Sequence, residues 1–339
     1  MEAILLVGGQ GTRLRPLTLT TPKPMLPLAG IPFITHQLLR ARRAGIDHVI
    51  LATSYRAEMF SDHFGDGARL GMTLTYAVES EPLGTGGAVR NAATYLRGPD
   101  PVVVLNGDVL AGLDLRGLVA HHLRAGAEIT LHLRRVPDPA GYGVVTTEPG
   151  GRVLSFEEKT ETPRGNQVNA GTYVFARSAL LSIPPDRVVS LERETFPAVL
   201  RDAGHVAGVQ DGSYWLDIGT PAAYVQGNCD LVLGQAPSAA MHAAPADRLL
   251  LEGARVADTA SLSGGTVVGR GAVVGDGATL RRAVVFDDAC VGAGASVSDS
   301  VIGRGAHIGA GAIVEAAMVA DRATVPPGAR MLTGAGRVC

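Results

Sequence analysis

The amino-acid sequence predicts an α/β protein of two parts: an open, mostly parallel sheet flanked by helices over residues 1–230, and a three-sided parallel β-helix over residues 254–339. Short apolar runs alternate with amphipathic segments in the first part. In the second part an aliphatic residue recurs about every six positions. Periodicity is lost between them, over residues 231–253, which we interpret as a connector. The length of 339 residues is sufficient for two hydrophobic cores.

Three near-continuous apolar runs predict central strands of the sheet: Ala3–Val7, His48–Ala52 and Val102–Leu105. Amphipathic stretches at Phe33–Arg43 and Ala88–Leu96 predict helices between strands. Parallel strands joined by helices form open sheets that bind ligands at the carboxyl ends of their strands. We therefore expect the functional residues to follow the strands.

The second part keeps an aliphatic residue in register through steps of six, which later become steps of six, six and five. A parallel β-helix with six-residue sides and coils of 17 to 18 residues fits this pattern. A disordered, glycine-rich tail is the alternative, but disorder would not maintain the register. The aliphatic positions are Val256, Leu262, Val268, Val274, Leu280, Val285, Val291, Val297, Ile302, Ile308, Val314, Val319 and Val325.

The composition argues against several classes of protein. The net charge is −2 with both signs scattered along the chain, which disfavours a nucleic-acid or membrane surface built on charge. No apolar run reaches the roughly 18 residues that span a bilayer, and the first residues lack a signal-peptide pattern. Cys229, Cys290 and Cys339 have unrelated spacings, so they predict neither a disulfide framework nor a metal knuckle. We expect a cytoplasmic protein with no nucleic-acid or membrane partner.

A glycine-rich loop follows the first strand. Gly8, Gly9 and Gly11 allow backbone N–H groups to approach phosphate oxygens, and Arg13 adds a bidentate cation. The chain has no Gly-Lys-Ser/Thr of a Walker loop, and Leu14 stands where a dinucleotide fingerprint has its third glycine. On spacing alone the loop is a generic anion site, and a tight turn without ligand is the alternative.

Only two of the 30 basic residues are lysines, Lys23 and Lys159. Pro22 and Pro24 flank Lys23 and restrict the backbone on either side of it. A site that contacts one phosphate oxygen accepts the compact ammonium of lysine and excludes the planar fork of arginine. In a chain so biased towards arginine, we interpret both lysines as functional, with chance survival as the alternative.

The segment Gly-Gly-x-Gly-Thr-Arg-Leu-Arg-Pro-Leu-Thr…Pro-Lys-Pro-Met, residues 8–25, resembles the opening motif of sugar-1-phosphate nucleotidylyltransferases, especially the mannose-1-phosphate guanylyltransferase branch. The resemblance extends over nearly the whole chain. It implies a Rossmann-like domain with a mixed, mostly parallel sheet, followed by a hexapeptide-repeat left-handed β-helix. It also implies a nucleotide site formed by Leu6, Gly8, Gly9, Gly11, Thr12, Arg13, Lys23, Glu81 and Gly86, in which Arg13 and Lys23 bind the phosphates.

Two acidic residues are candidate metal ligands. Asp108 follows an apolar strand, where a Mg²⁺ ligand for a triphosphate would lie, although a turn or helix cap is the alternative. Asp217 stands two residues after Trp215, the only tryptophan. The resemblance implies that both acids bind Mg²⁺, the expected cofactor. It implies a catalytic set of Arg13, Lys23, Asp108, Lys159 and Asp217.

The second lysine ends the segment Phe156–Lys159, ten residues before Asn169. The resemblance implies that Lys159 holds the sugar phosphate and that Glu158 and Asn169 bind sugar hydroxyls. Glu157 we interpret as a solvated strand-edge residue. The remaining matched segments imply a sugar pocket lined by Tyr142 and Gly143 and a packing helix at Ser190–Pro197.

The loop Glu79–Ala88 resembles the guanylyltransferase version of the base-reading loop and lacks the glutamine typical of the pyrimidine branches. The sequence therefore predicts nucleotidyl transfer from a nucleoside triphosphate, with GTP favoured, to a sugar-1-phosphate: mannose-1-phosphate or a related hexose, heptose or cyclitol phosphate. The products would be an NDP-sugar and pyrophosphate.

Three alternatives stay open. One is a thymidylyl- or uridylyltransferase for glucose-1-phosphate, and another is a non-catalytic regulatory paralogue. The third is an acyltransferase built on the β-helix, whose repeats hold a single histidine, His307. Coil ends and flat β-helix faces commonly pair, so we also expect a homodimer or a dimer of dimers through the β-helix.

Overall fold

The computed structural model describes residues 1–54, 56–99, 101–160, 162–242 and 244–332. These residues form two compact units. The first unit contains residues 1–9 and 37–215. The second contains residues 10–36 together with the described residues from 216 onward. Each unit is therefore assembled from segments that are far apart in the chain.

The regular elements of the α/β part alternate as expected. Its α-helices are α1 Phe33–Arg43, α2 Glu58–Phe64, α3 Gly84–Ala92, α4 Leu115–Ala125, α5 Arg177–Leu181, α6 Phe196–Arg201 and α7 Pro221–Val232. Helix α7 is the last α-helix before the β-helix. Its strands are β1 Glu2–Leu6, β2 Pro27–Leu28, β3 Ile31–Pro32, β4 His48–Thr53, β5 Thr73–Val78, β6 Val102–Asn106, β7 Val109–Ala111, β8 Ile129–Arg135, β9 Gly143–Thr147, β10 Val153–Glu158, β11 Gln167–Phe175, β12 Val206–Gln210 and β13 Trp215–Asp217.

The first unit is built on a nine-stranded mixed sheet. Strands β5, β4, β1 and β6 are consecutive and parallel, and antiparallel β11 joins β6 to the remainder, which holds β8, β9, β10 and β12. The central strands are buried because their apolar side chains face helices on one side and other core elements on the other. The predicted fold class and the three predicted strands are confirmed. Four of the six predicted strand ends differ from the observed ends by one residue, and the other two are identical.

The helix predicted at Phe33–Arg43 is confirmed with the same bounds. The helix predicted at Ala88–Leu96 begins earlier, at Gly84, and ends at Ala92 before a 3-10 turn. Glycine disfavours helices, so the sequence pattern excluded residues 84–87. In the structure they belong to the helix, and Gly87 is required for packing, since a Cβ there would come 2.6 Å from the carbonyl oxygen of Arg187.

The C-terminal strands form three five-stranded parallel sheets, the arrangement expected for a left-handed β-helix. The first coil is 18 residues long, pairing Arg248 with Thr266, and later coils are 17 residues long, as in the pairing of Val284 with Val301. The strands are β14 Arg248–Leu250, β15 Arg255–Val256, β16 Ser261–Ser263, β17 Thr266–Val268, β18 Val273–Val274, β19 Thr279–Arg281, β20 Val284–Val285, β21 Cys290–Val291, β22 Ser296–Ser298, β23 Val301–Ile302, β24 His307–Ile308, β25 Ile313–Glu315, β26 Met318–Val319, β27 Thr324–Val325 and β28 Arg330–Met331.

The five-residue steps of the sequence pattern correspond to one corner of the β-helix. Arg282, Asp299 and Ala316 occupy this corner in successive coils, with φ values of 51°, 47° and 48°. Left-handed residues also stand at the other two corners, as at Asp288 and Gly294, with φ values of 60° and 65°. The slip in the periodicity therefore marks one corner that is a residue shorter than the other two in each 17-residue coil.

Strand β14 lies inside the segment 231–253 that the sequence analysis interprets as a connector. It pairs with β17 and belongs to the first coil. The predicted domain boundaries at residues 230 and 254 stay a prediction. Among the described residues, no helix is both long and apolar enough to cross a membrane.

Candidate functional site

The turn that carries Asp108 is packed against the end of the central strand β1. The N–H of Gly107 donates to the carbonyl oxygen of Leu6 at 2.8 Å, and a Cβ at residue 107 would lie only 2.3 Å from that oxygen. Only glycine fits this position. Asp108, half-buried, is thus held at the carboxyl end of the parallel strands, where the sequence analysis predicts it.

Gln37 fixes the same turn from the other side. Its side-chain amide donates to the carbonyl oxygen of Asn106 at 2.9 Å and to that of Val109 at 2.7 Å, one before and one after Asp108. Gln37 is only 4% exposed. The sequence analysis missed it, and the one available signal was a polar residue inside an otherwise apolar helix face.

The glycine-rich loop begins in the first unit with Gly8 and Gly9. A Cβ at Gly8 would lie 3.1 Å from the hydroxyl of Ser54, which leaves little room for a side chain. Gly9 has a φ of 101° with open space around its Cα. The open space at Gly9 leaves room for a ligand beside the backbone; the anion-binding role of the loop stays a prediction.

The loop Glu79–Ala88, predicted to read the base, is folded onto the segment Arg187–Val189. The N–H of Gly86 donates to the carbonyl oxygen of Val189 at 2.8 Å, so it is already engaged and the role predicted for Gly86 stays a prediction. Glu79 accepts from the N–H of Leu83 at 3.2 Å, and burial raises the pKa of its carboxyl group. Glu81 is exposed.

The predicted sugar residues meet at the paired ends of β9 and β10. Gly143 lies opposite Glu158, and a Cβ there would come 2.8 Å from the Glu158 carboxylate. Lys159 has a φ of 45°, and its N–H donates to the carbonyl oxygen of Tyr142 at 3.3 Å. The left-handed turn brings the Lys159 ammonium to 3.5 Å from Glu158. The structure therefore brings four of the predicted sugar-site residues together.

The two charges of this pair differ in exposure. The Lys159 side chain is 59% exposed, whereas that of Glu158 is 14% exposed. Burial raises the pKa of the Glu158 carboxyl group, although the neighbouring ammonium lowers it. An exposed ammonium supported by a buried carboxylate can reach a phosphate without large rearrangement.

A bulge in β11 presents the fifth predicted sugar residue, Asn169. Its side-chain amide donates to the hydroxyl of Tyr173 at 2.8 Å. Gly171, with a φ of 74°, lies so close to Asn106 that a Cβ would be 2.9 Å from the amide nitrogen of that residue. Asn106 precedes Gly107 and Asp108, so it connects the turn that carries Asp108 with the bulge in β11. The sequence analysis did not identify it.

Trp215 supports the same region. Its indole N–H donates to the carbonyl oxygen of Ala170 at 2.9 Å, and its ring meets that of Tyr142 edge-on, with centroids 5.5 Å apart. The tryptophan two residues before Asp217 therefore packs between the bulge and the tyrosine predicted to line the sugar pocket.

The remaining loop residues belong to the second unit. Gly11 has a φ of 58° and precedes a 3-10 turn, Thr12–Leu14, so Thr12 and Arg13 are exposed at the start of that turn. The hydroxyl of Thr18 donates to the carbonyl oxygen of Gly11 at 2.9 Å and closes the loop. Lys23 opens another 3-10 turn, Lys23–Met25. Pro22 and Pro24 on either side of Lys23 are buried, as an anchored backbone requires.

Arg13 and Asp217 both approach Gly219. A Cβ at Gly219 would be 2.8 Å from the Arg13 guanidinium and 3.0 Å from the Asp217 carboxylate. The two groups therefore approach the same face of Gly219, and a side chain at this position would displace one or both of them.

The donor set suits Mg²⁺. Asp108 of the first unit and Asp217 of the second both carry carboxylate oxygens, the ligand type that Mg²⁺ prefers, and Mg²⁺ takes its remaining ligands from phosphates and water; their role as ligands stays a prediction. Within the described ranges, no cluster of three or more His, Cys, Asp or Glu residues is suited to a metal ion. A site with two carboxylates completed by a triphosphate does not need such a cluster.

The β-helix histidine, His307, is exposed on β24. Its side chain stands on a regular side of the coil, with Cys290 and Thr324 as neighbours in register. Nothing around it resembles the inserted loop expected of an acyltransferase, since the described coils run at a constant 17 residues there.

The chain resembles known proteins over nearly its whole length. A family model described as nucleotidyl transferase matches residues 2–232, and one described as the GMPPB C-terminal domain matches residues 246–332. The chain is 51% identical over 298 residues to the mannose-1-phosphate guanylyltransferase of Mycobacterium tuberculosis, covering 88% of this chain and 83% of that protein.

More distant relatives match the α/β part. A mannose-1-phosphate guanyltransferase of Neurospora crassa is 40% identical, covering 68% of this chain and 64% of that protein, less than two thirds of its length. The crystal structure of HddC from Yersinia pseudotuberculosis complexed with GMP-PN has a TM-score of 0.59 and 28% identity, covering 68% of this chain and 99% of that chain.

The predicted family and enzyme class are confirmed by these matches. The glycine-rich loop, the two acids and the two lysines all lie within the matched segment 2–232. The chain belongs to the nucleotidyl transferase family and is a nucleotidyltransferase, close in sequence to mannose-1-phosphate guanylyltransferases.

Proposed function

We propose that the protein transfers GMP from GTP to mannose-1-phosphate, giving GDP-mannose and pyrophosphate. The observation that carries the proposal is the pair around Gly219, where the Arg13 guanidinium lies beside the Asp217 carboxylate. A cation for the triphosphate next to an anion for its metal is the charge pattern that nucleotidyl transfer needs. The names of the relatives support the choice of GTP and mannose-1-phosphate.

In the proposed mechanism the residues of the chain position and neutralise charged groups. Arg13 and Lys23 bind the phosphates that leave as pyrophosphate. Asp108 and Asp217 would hold Mg²⁺, which would supply charge neutralisation at the triphosphate. The attacking group is a phosphate monoester, already an anion at neutral pH, so no general base is required. Positioning and electrostatics account for the catalysis.

Lys159 orients the attacking phosphate. Its ammonium is 3.5 Å from the Glu158 carboxylate. A sugar phosphate carries more negative charge than a carboxylate, so it competes effectively for the ammonium. Glu158, released from Lys159, would then accept hydrogen bonds from sugar hydroxyls, as the sequence analysis proposes for Glu158 and Asn169.

Glu81 is the proposed reader of the base. Guanine presents two adjacent donors, N1–H and N2–H, and a carboxylate offers two acceptors to match them. Uracil and thymine present one donor between two carbonyl oxygens. A carboxylate would repel these two oxygens. The exposed position of Glu81 in the base-reading loop is compatible with this pairing. Glu79 supports the loop through Leu83.

A screen of nucleoside triphosphates against sugar-1-phosphates, read by pyrophosphate release, tests the proposal. GTP with mannose-1-phosphate should give the highest kcat/KM. Preference for UTP or dTTP with glucose-1-phosphate would favour the pyrimidine alternative, and a heptose or cyclitol phosphate as best acceptor would change the sugar. Binding of nucleotide without turnover of any pair would favour a regulatory paralogue.

We also propose a homodimer or dimer of dimers in which the β-helix, predicted over residues 254–339 and described as far as residue 332, forms the interface. The flat parallel sides of the β-helix support this arrangement. Light scattering on the intact chain should give a mass of two or four subunits, and a monomer would contradict the proposal. A cytoplasmic location is proposed because the donor is a nucleoside triphosphate; cell fractionation tests it.

A further inference from the structure

The segment 10–36, which carries Arg13 and Lys23, is attached to C-terminal elements of its own unit. The hairpin β2–β3 follows Lys23 closely and contacts α7. The N–H of Ala29 donates to the side-chain oxygen of Asn228 at 2.8 Å, and the hydroxyl of Tyr224 donates to the carbonyl oxygen of Pro27. Asn228 is 0% exposed and Tyr224 1%. These are buried, satisfied polar contacts and therefore hold the hairpin firmly.

Further C-terminal residues hold the rest of the hairpin and its exit. Gly30 lies against Leu251, and a Cβ there would be 2.4 Å from the leucine side chain. His36 is hydrogen-bonded on both ring nitrogens, to Ser238 at 2.6 Å and to the carbonyl oxygen of Leu28 at 3.1 Å. Burial lowers the pKa of His36 to about 4, so it is neutral at physiological pH.

Helix α7 is in turn fixed to the β-helix. The backbone of Cys229 lies against Gly265, where a Cβ would come 2.7 Å from it. Arg282, at the left-handed corner of the second coil, donates to the side-chain oxygen of Gln226 at 2.7 Å and to Asp299 at 2.7 Å. The contacts therefore run without a gap from the β-helix through α7 to the hairpin after Lys23.

A second, direct contact lies before Lys23. The hydroxyl of Thr20 lies 3.1 Å from Oδ2 of Asp321, in the turn between β26 and β27, and 3.3 Å from the carbonyl oxygen of Leu17, so these two acceptors share its proton. The other oxygen of Asp321 accepts the N–H of Arg304 at 2.9 Å, which orients the carboxylate. Thr20 lies three residues before Lys23 and seven after Arg13. The β-helix thus holds the loop both before and after the lysine.

We propose that the β-helix is a positioning element for the phosphate-binding loop, and that Asp321, acting through Thr20, sets the placement of Lys23. Asp321 contacts no substrate in this proposal; it is a positioning residue. The consequence for nucleotide affinity rests on the proposed function, whereas the consequence for loop order does not.

The chain offers a matched control for Asp321. Asp287 occupies the equivalent turn two coils earlier, and its Oδ1 accepts the N–H of Arg270 at 2.8 Å, just as Oδ1 of Asp321 accepts that of Arg304. The second oxygen of Asp287 instead faces arginine side chains at 3.7 and 3.9 Å. Asp287→Ala therefore removes the same turn contact without touching the loop. Thr20→Val and Thr20→Ser form a second pair, without and with the hydroxyl.

Hydrogen exchange of peptides covering residues 12–26, measured on the full chain without substrate, is the first test. Asp321→Ala and Thr20→Val should each speed exchange in this segment about fivefold, the scale of losing one charge-assisted hydrogen bond. Asp287→Ala and Thr20→Ser should leave it unchanged. Equal effects of Asp321→Ala and Asp287→Ala, or no effect of any variant, would overturn the proposal.

Steady-state kinetics is the second test. Asp321→Ala should raise the KM for GTP about five- to tenfold while the KM for mannose-1-phosphate stays within about twofold. The double variant Thr20→Val/Asp321→Ala should raise the KM for GTP no more than Thr20→Val alone, because Thr20→Val already removes the contact with Asp321. Faster exchange with an unchanged KM for GTP would refute the positioning role. A parent enzyme that does not use GTP would refute the proposed function and leave the exchange result standing.

Discussion

The N–H of Gly107 donates to the carbonyl oxygen of Leu6 at 2.8 Å, and no other residue type fits at this contact because a Cβ would lie 2.3 Å from that oxygen. Asp108 is the next residue. The position of this proposed metal ligand therefore depends on the absence of a side chain at Gly107.

We predict that Gly107→Ala displaces the Asp108 turn and lowers kcat/KM at least about 100-fold, because small displacements of a positioned group are costly in catalysis. The free energy of unfolding should also fall by about 1–3 kcal/mol, the usual range for overpacking. Gly212→Ala is the control, since a Cβ there would meet nothing within 4 Å. Kinetics and thermal unfolding of both variants check the prediction, and near-parental activity of Gly107→Ala would contradict it.

Asp108→Asn and Asp217→Asn should each reduce Mg²⁺-dependent turnover at least about 100-fold, because each removes a negative charge without changing side-chain size. Circular dichroism should show an unchanged fold. Rates are measured over a Mg²⁺ titration. A variant that turns over near normally at millimolar Mg²⁺ would show that its carboxylate is not a ligand.

Lys159→Arg should lower turnover at least about tenfold, equivalent to roughly 1.4 kcal/mol of transition-state stabilisation, because a planar fork replaces a compact ammonium. The loss should appear against mannose-1-phosphate, with nucleotide affinity largely unchanged. Lys23→Arg should impair the nucleotide side instead. Separate titrations of the two substrates check this, and parental behaviour of both variants would mean that the two lysines persist by chance.

Glu81→Gln should lower kcat/KM for GTP relative to ATP about tenfold, because an amide offers guanine one acceptor where a carboxylate offers two. Glu79→Gln is the comparison: Glu79 supports Leu83 in the loop, so its loss should lower the rates with all nucleotides alike. Competition between GTP and ATP measures the ratio. An unchanged ratio in Glu81→Gln would exclude Glu81 as the reader.

His132 should make the protein less stable in acid. It is 0% exposed on β8, and burial lowers its pKa to about 4, opposed by Asp211 and assisted by the charges of Arg40 and Arg134. An unfolded histidine titrates near 6.5. Between about pH 6.5 and 4 the unfolded chain therefore binds a proton that the folded chain does not, and the free energy of unfolding falls as the pH falls.

His132→Asn should flatten this dependence, so that Tm falls less between pH 7 and pH 5 than in the parent. The slope is compared rather than the absolute Tm, since the substitution also changes packing. His307→Asn, on the exposed side of β24, should keep the parental slope. Equal slopes for His132→Asn and the parent would contradict the prediction.

Local periodicity predicted most of the fold. The strands at Ala3–Val7 and Val102–Leu105 and the hexad register of the β-helix are properties of neighbouring residues, so a pattern reveals them. The predicted start of α3 was wrong because glycine has low helix propensity. The close approach of Gly87 to Arg187, which explains a glycine at this position, is a tertiary contact that the local pattern does not contain.

The supporting residues of the site could not be predicted in the same way. Gln37 contacts backbone atoms of Asn106 and Val109, which are 69 and 72 residues away. No local pattern distinguishes a buried amide with distant partners from an ordinary polar residue in a helix. The adjacency of Arg13 and Asp217 around Gly219 likewise depends on tertiary packing, whereas the acids and lysines themselves were recognisable from their motifs.

The contact between Thr20 and Asp321 also determines when the loop can be completed during synthesis. The two residues are 301 positions apart in the chain. At ordinary translation rates of about 5–20 residues per second, Thr20 emerges from the ribosome roughly 15 to 60 seconds before its partner. The loop that contains Thr20 is therefore made early but is among the last parts of the chain to reach its final arrangement. A nascent chain that lacks its final coils has not yet acquired the contact that holds the loop ahead of Lys23.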